Sequence, residues 1–261
     1  MLKSVRDMVQ TKSFGFLSYN DQPPGSNSGP EYGHSKGVVM GDSSTKSALW
    51  LTHNTPKFPT SERNKNHFWK DNIYKKGQTF MCVTLGYNDL DTVVKHLQNI
   101  RAYVFDDHHF PGDFHEELKD AIEKKEDVSY RGKPQDLKTK GGEELKTLAK
   151  NTGKTAKVGD LYVQLAEHLK SDMKAQTWGC QKGRDKSFCG EPYKVFNIEG
   201  VRTDIGDWNR TKDHSKWAIT TEITSTGPAS QIPIEVHHST NGPEELCAST
   251  TKKSKNTLKS S

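Results

Sequence analysis

The tripeptide His-Ser-Lys occurs twice in this chain, at residues 34–36 and again at residues 214–216. Each copy precedes a run rich in apolar and β-branched residues, which predicts that each copy enters a β-strand. Residues two apart in a strand point to the same face, so each copy would present an imidazole beside an ammonium group. A lysine can hold a phosphoryl oxygen, and an imidazole can attack phosphorus when neutral or donate a proton when charged. The repeat therefore predicts chemistry on a phosphate group.

Weaker similarities extend the repeat. A second predicted strand ends in His53 in the first half of the chain and in His237-His238 in the second half. In the first half, the polar segment 42–46 separates two β-rich runs, which predicts a hairpin. If its loop centres between Ser43 and Ser44, His34 lies opposite His53 on the neighbouring strand. Coincidence in a chain rich in serine and lysine is the alternative explanation, and the shared strand context argues against it.

A second group of polar residues could bind a metal ion. It consists of Asp106, Asp107, His108, His109 and His115, a set that could ligate zinc. We favour a solvated turn before a helix as the explanation of this group. The sequence contains no phosphate-binding loop of the G-x-x-x-x-G-K type, no G-x-G-x-x-G and no G-x-S-x-G. The absence of these motifs argues against a nucleoside triphosphatase and against a serine hydrolase.

The composition sets further bounds. The chain has 261 residues with 31% hydrophobic residues, which predicts a modest core with long polar loops. Its formal net charge is +5, but Lys252, Lys253, Lys255 and Lys259 all lie near the end of the chain. Net charge is therefore weak evidence for a nucleic-acid partner. No apolar run reaches the roughly 18 residues of a membrane helix, so we expect no membrane span.

The cysteines and the first residues bear on the compartment. Four cysteines permit two disulfides in three connectivities, and Cys180 and Cys189 could close a local loop. Asn209 begins a glycosylation sequon, which matters if the chain is secreted. Residues 1–10 lack the apolar run of a signal peptide. We therefore expect either a cytoplasmic chain or one that lacks its original start.

Strands and helices alternate along the predicted chain. Residues 14–24 are expected to form a strand that ends in a turn, and 33–53 a hairpin. Further strands are expected at 79–85, as a buried strand, and at 194–198, 217–221 and 232–236. A helix is expected at 89–100, because Leu90, Val93, Val94 and Leu97 recur at helical spacing and would form its buried face. Helices are also expected at 113–125 and from an Asp160 cap through Met173. The segment 131–159, rich in lysine and glycine, is predicted to be a flexible connection. The pattern predicts an α/β or α+β sheet fold.

Several segments together resemble the deoxyribonuclease II family. The matching pieces are LSYNDQPP (17–24), GHSKGVV (33–39), WLTHNTPKFP (50–59), GQTFMCV (77–83), the AK…GDLY stretch (149–162) and DHSKW (213–217). They occur in the family's order and extend from about residue 14 to Cys247. The resemblance implies a phospholipase D-like αβα sandwich, internally duplicated, with one active site at a pseudo-twofold interface. It implies one half in residues 1–150, a second in 151–250, and a basic tail, expected to be disordered, in 251–261.

The resemblance also implies the residues and the reaction. The family's active-site histidines fall on His34, His53 and His214, and Lys36 and Lys216 would clamp the phosphate. The implied reaction is hydrolysis of DNA phosphodiesters without a metal or other cofactor, leaving 3′-phosphate ends. One of His34 and His214 would attack phosphorus while the other protonates the leaving oxygen. The partner would be DNA, contacted through its backbone without sequence preference, and the rate would peak on the acid side.

The chain also departs from the family pattern. The family's signal peptide and an additional strand segment are missing, so we expect Cys82 to lack an N-terminal partner. Ala218 follows Trp217 where the family has a cysteine, and the next segment differs. These departures favour, as an alternative, a catalytically weakened secreted protein that binds DNA or a host partner. A third alternative is a phosphodiesterase that acts on lipid headgroups, although the sequence shows no signature of an apolar groove. The resemblance itself implies a secreted or lysosomal location.

Overall fold

The chain folds into two compact units with α+β structure. The computed structural model describes residues 13–30, 32–59, 77–108, 116–123, 134–149, 160–177, 186–204, 206–221 and 232–233. The first unit comprises Met1–Ile73, Thr79–Val158 and Glu235–His238, and the second comprises Tyr74–Gln78, Gly159–Ile234 and Ser239–Ser261. Within the described residues, the helices are too short or too polar to cross a bilayer.

A five-stranded antiparallel sheet forms the centre of the first unit, with the strand order β4-β3-β2-β1-β5. Its strands are β1 (Phe14–Asn20), β2 (Lys36–Asp42), β3 (Ser47–His53), β4 (Phe80–Gly86) and β5 (Val104–His108). Two helices follow strands of the sheet, α1 (Leu90–Asn99) and α2 (Glu116–Ile122). The strand predicted within 14–24, the strand predicted at 79–85, the hairpin and both helices are confirmed in these elements.

The two faces of this sheet have different partners. On one face, Leu17, Val39 and Trp50 pack in one apolar cluster with Val93 and Leu97 of α1. These helix positions are the ones that the helical spacing predicted to be buried. On the other face, a second cluster contains Phe14, Phe16, Val38, Met40, Leu51 and Phe58. Alternation along each strand thus separates the helix-facing residues from those that share a face with Lys36 and His53.

The β2–β3 hairpin has a different register from the predicted one. Asp42 pairs with Ser47, so the loop centres between Ser44 and Thr45. The Asp42 carboxylate accepts hydrogen bonds from the Ser44 backbone N–H (3.0 Å), the Ser44 hydroxyl (2.7 Å) and the Thr45 hydroxyl (3.1 Å). These bonds hold the loop in place and fix the register. The expectation that His34 faces His53 is therefore wrong: continuing the register places Lys36 across from His53.

Two further expectations for the first unit are wrong. The segment 131–159 contains a hairpin of β6 (Gln135–Lys138) and β7 (Glu144–Thr147) rather than a structureless connection. Leu137 is buried in the core, and the Lys140 backbone N–H donates to the Thr84 carbonyl (2.9 Å), so the hairpin is anchored beside β4. Strand β4 is buried on one face only, because Phe80, Cys82 and Thr84 are exposed.

The predicted helix cap lies near the start of the longest segment of the second unit. Helix α3 (Leu161–Leu169) starts after Asp160, whose carboxylate accepts from the Tyr162 backbone N–H (2.7 Å). The helix ends earlier than predicted, because Lys170 adopts the left-handed conformation (φ 53°) and Met173 begins a strand. The expected continuation of the helix through Met173 is therefore wrong.

A four-stranded sheet with the order β13-β12-β8-β9 follows α3. Its strands are β8 (Met173–Gln176), β9 (Val195–Asn197), β12 (Trp217–Thr220) and β13 (Ile232–Pro233), and β10 (Gly200–Thr203) and β11 (Gly206–Asn209) form a separate hairpin. The strands predicted at 194–198 and 217–221 are confirmed. Cys189 is disulfide-bonded. Cys180, Cys247 and His237-His238 lie outside the described residues.

Candidate active site

A single carboxylate joins the histidine and the lysine of the first His-Ser-Lys copy. Asp21 Oδ2 lies 2.6 Å from His34 Nδ1, and Asp21 Oδ1 accepts a hydrogen bond from the Lys36 ammonium. Lys36 is 2% exposed, and His34 is 23% exposed. The lysine is thus buried with a counter-charge, while part of the imidazole surface remains accessible.

The protonation state of Asp21 fixes the orientation of the His34 proton. Burial by itself would raise the pKa of Asp21, but the hydrogen bond from His34 and the charge of Lys36 lower it from 3.8 to about 2. The carboxylate is therefore ionised at any mildly acidic or neutral pH and can only accept hydrogen bonds. His34 must then donate from Nδ1, so Nε2 is the atom through which its imidazole can react.

The antiparallel pairing of β1 and β2 brings these residues together. Asn20, the last residue of β1, pairs with Lys36, the first residue of β2, so Asp21 follows directly beside the lysine. The buried Asn20 carboxamide donates to the carbonyl oxygens of Thr55 (3.3 Å) and Phe58 (2.9 Å), and it accepts from the Gln22 backbone N–H (2.8 Å). Asn20 therefore ties the segment that carries Asp21 to the segment that follows His53.

His53 lies at the end of β3 and is buried, with 5% of its surface exposed. Its Nδ1 accepts a hydrogen bond from the Thr55 backbone N–H (3.2 Å). Burial and the nearby charge of Lys36 lower the pKa of His53 to about 3, although Asp21 acts in the opposite direction. The neutral ring then carries its proton on Nε2, which finds no hydrogen-bond acceptor within the described part of the chain. The Nε2–H group of His53 can therefore donate to an acceptor on a bound ligand, and it lies near the buried Lys36 ammonium.

The second His-Ser-Lys copy lies in the second unit and enters β12. His214 and Lys216 are both buried, and the Lys216 ammonium donates to the His214 carbonyl (3.3 Å). Asp213, directly before the copy, accepts from the Ser215 backbone N–H (2.9 Å) and from the indole N–H of Trp208 (3.0 Å). These bonds fold the residues before β12 into a fixed turn. Both copies thus stand at the start of a strand, as the sequence predicts.

The group proposed as a zinc alternative is spread along a strand and beyond it. Asp106, Asp107 and His108 lie in β5, where neighbouring side chains point to opposite faces. The His108 ring stacks on Phe16, with ring centroids 6.1 Å apart. His109 and His115 lie outside the described residues. Within the described ranges, no group of three or more histidine, cysteine, aspartate or glutamate side chains could hold a metal ion.

The structure thus assembles His34, Lys36 and His53 in the first unit and adds residues that the sequence did not single out. Asp21 and Asn20 lie in the NDQPP segment, which the sequence predicts as a turn and which is one of the segments that resemble the family. The available signal was that both residues lie where the predicted strand gives way to a turn rich in polar residues. Phe80, which contacts His53, carried no such signal.

Comparisons with known proteins identify the family of this chain. A family model described as Deoxyribonuclease II matches residues 1–257. The chain is 32% identical to Plancitoxin-1 of Acanthaster planci over 234 residues, which cover 84% of this chain and 62% of that protein. It is 30% identical to Deoxyribonuclease-2-alpha of Rattus norvegicus over 220 residues, with 81% and 62% covered. For Deoxyribonuclease-2-beta of Mus musculus the identity is 29% over 219 residues, with 80% and 58% covered.

The chain spans about three-fifths of the length of these relatives. The family match nevertheless includes both His-Ser-Lys copies, the NDQPP segment with Asp21, and the strand that ends in His53. The chain therefore belongs to the deoxyribonuclease II family.

Proposed function

We propose that this chain is an endonuclease of the deoxyribonuclease II type, which hydrolyses DNA phosphodiester bonds without a metal ion and leaves 3′-phosphate ends. The observation that carries the proposal is the bridge from Asp21 to both His34 and Lys36. This bridge fixes an imidazole and a buried ammonium group side by side, which is the arrangement needed to hold and attack a phosphate. Family membership supports the choice of DNA as substrate.

Each residue of the first unit has a role in the proposal. Lys36 neutralises a non-bridging oxygen of the scissile phosphate, and the Nε2–H group of neutral His53 donates to another. Because these groups supply positive charge and hydrogen bonds where negative charge develops, they stabilise the transition state. In the second unit, Lys216 and His214 provide the matching pair.

The reaction proceeds in two steps. Nε2 of one of His34 and His214 attacks phosphorus, the bond to the 5′ oxygen breaks, and the other histidine donates its proton to that oxygen. A phosphohistidine bearing the 3′ strand end results. The second histidine then takes a proton from water, the hydroxide attacks phosphorus, and the P–N bond breaks to release the 3′-phosphate. Because one imidazole must be neutral and the other charged, the rate is expected to peak on the acid side.

The proposal includes the wider organisation of the molecule. Each unit begins a strand with His-Ser-Lys, which supports an internally duplicated, phospholipase D-like sandwich with halves in 1–150 and 151–250. DNA would be bound through backbone phosphates without sequence preference. A secreted or lysosomal location agrees with acid activity, and the sequon residue Asn209 is exposed on β11. A shift of the mass of the secreted chain after glycosidase treatment would test the location.

Cleavage of plasmid DNA at pH 5 in the presence of EDTA tests the proposal. His34→Ala and His214→Ala should each lower the rate by on the order of hundredfold or more, because each removes a reacting group. His168→Ala is the matched control, since His168 is an exposed histidine on α3 that the proposal does not use. Phosphatase treatment of the products of a 5′-labelled oligonucleotide should remove a phosphate from their new 3′ ends.

The results of these experiments distinguish the proposed nuclease from the alternative functions. Loss of cleavage in EDTA contradicts the metal-free reaction, and 5′-phosphate products contradict the proposed bond cleavage. A folded parent chain that binds DNA but does not cut it would favour the binding protein suggested by the altered segment after Trp217. Cleavage of a phosphatidyl headgroup in place of DNA would favour the lipid phosphodiesterase.

A further inference from the structure

Four side chains form a row across one end of the sheet in the first unit. Asn20 pairs with Lys36 between β1 and β2, and His53 pairs with Phe80 between β3 and β4. The register of β2 and β3 places Lys36 beside His53, so the row runs Asn20, Lys36, His53, Phe80. Strand β4 is an edge strand of this sheet. The row thus leads from the proposed phosphate-binding residues to an aromatic side chain at the sheet edge.

Phe80 differs from the other members of the row because it is exposed. Its relative exposure is 40%, whereas Asn20, Lys36 and His53 are all buried. The Phe80 ring stacks on the His53 imidazole with centroids 5.6 Å apart and an angle of 25°, and it meets Phe58 edge-on at 5.6 Å. These two rings hold Phe80 in place while a substantial part of its surface faces solvent. An aromatic ring that is held on one side and exposed on the other can stack against a nucleobase.

We propose that the exposed surface of Phe80 stacks against a nucleobase of the nucleotide next to the scissile phosphate, so that the edge strand β4 forms a base subsite. This inference rests on the proposed function, because it takes a nucleic acid as the ligand. Adjacent strands lie about 4.8 Å apart, so the backbones at Lys36 and Phe80 are separated by about 10 Å. The side chain of the lysine together with one nucleoside covers that span.

The chemistry of this subsite sets its specificity. Every base has a π-face, so a phenyl ring beside a cationic phosphate site binds nucleotides with little sequence preference. A base inside a duplex is already stacked on its neighbours, so Phe80 can reach only an unstacked one. The subsite therefore takes up a base only where the stack has opened beside the cleaved bond.

Binding to two oligomers with the same backbone tests the inference. The probes are fluorescent oligothymidylate and an abasic oligomer of equal length, both with hydrolysis-resistant phosphorothioate linkages, and binding is followed by fluorescence anisotropy at pH 5. The parent chain should bind the thymidylate oligomer about tenfold more tightly than the abasic one, the range measured for one aromatic contact to a base. Phe80→Leu should abolish this difference, and Phe80→Tyr should retain it.

Phe188→Leu provides the matched control, because Phe188 is an exposed phenylalanine (38%) in the second unit, near β9. It should bind both oligomers as the parent does. Equal weakening of both oligomers by Phe80→Leu would mean that Phe80 only supports His53, and this result would overturn the subsite. An unchanged preference in Phe80→Leu would also overturn it. A chain that shows the Phe80-dependent preference but never cleaves DNA would retain the subsite and refute the proposed function.

Discussion

Asp21 decides the properties of the site at the scale of single residues. A lysine that is 98% removed from solvent would normally lose its proton or destabilise the fold, but Asp21 supplies the opposite charge directly. The same carboxylate orients His34 through Nδ1. One side chain therefore keeps the ammonium group charged and sets which nitrogen of the imidazole can react.

Replacing Asp21 by asparagine should impair both stability and activity. Asparagine keeps the size of the side chain but leaves Lys36 buried without a counter-charge, so we expect a loss of about 3 kcal/mol in the free energy of unfolding. Cleavage of plasmid DNA at pH 5 should fall by on the order of a hundredfold, because His34 loses its orienting carboxylate. Urea unfolding and initial rates measure the two effects.

Asp136→Asn is the control for this substitution, because Asp136 pairs with Lys146 at the surface. It should change the free energy of unfolding by less than about 1 kcal/mol.

The lowered pKa of Asp21 also determines how the stability of the fold depends on pH. The ionised Asp21 carboxylate contributes about 2 kcal/mol to the free energy of unfolding. This contribution is fully present above pH 3.8 and is lost as the pH falls through about 2. Full activity of Asp21→Asn would contradict the role given to this carboxylate.

At the scale of elements, the residue after Lys36 determines how β1, β2 and β3 pack. Gly37 pairs with Tyr19 on β1, and the Tyr19 hydroxyl accepts a hydrogen bond from the Trp50 indole N–H (3.1 Å). A Cβ atom at Gly37 would collide with the Tyr19 ring and with the Leu51 carbonyl oxygen. The strand that presents Lys36 therefore needs glycine at this position to accept the buried tyrosine.

Gly37→Ala should destabilise the first unit. Because the tyrosine must move out of a close-packed core, we expect a loss of about 2 kcal/mol in the free energy of unfolding, measured by denaturant titration. Activity should fall with it, since Lys36 is the neighbouring residue. Gly141→Ala serves as control, because a Cβ atom there meets only the Thr139 hydroxyl at 3.6 Å. Equal stability of the two variants would show that the sheet accommodates the added methyl group.

At the scale of the whole molecule, the acid conditions of the proposed reaction work against the fold. His96 lies on the buried face of α1, with its ring edge-on to Trp50 (5.3 Å), and burial lowers its pKa to about 4. His53 is likewise held neutral, with a pKa of about 3. Both imidazoles take up protons more readily in the unfolded chain. Above pH 6.5 these two histidines therefore do not lower the free energy of unfolding. As the pH falls below 6.5, they lower it progressively.

Replacing His96 by phenylalanine should flatten this decline. As the pH falls from 6.5 to 4, the buried His96 lowers the free energy of unfolding by up to about 3 kcal/mol. Phenylalanine retains the aromatic contact but has no titrating group. We expect the melting temperature of His96→Phe to fall less steeply over this range than that of the parent chain. His168→Phe, at an exposed position, should give a curve parallel to the parent's. A parallel curve for His96→Phe as well would contradict the prediction.

The sequence by itself determined the local elements and the residues able to handle phosphate. The helical spacing of Leu90, Val93, Val94 and Leu97 predicted the buried face of α1, and Asp160 predicted the start of α3. The repeated His-Ser-Lys predicted two strand starts. These features depend on neighbouring residues, on periodicity and on turn chemistry, which a sequence carries directly.

The tertiary structure alone decided which of these residues meet. The loop of the β2–β3 hairpin set the register that places Lys36, rather than His34, beside His53. The pairing of β1 with β2 brought Asp21 to both His34 and Lys36, and Leu137 drew a lysine-rich segment into a hairpin beside β4. Such contacts join residues far apart in the chain, because strand register and core packing are settled by the sheet as a whole and leave no periodic trace in any one segment.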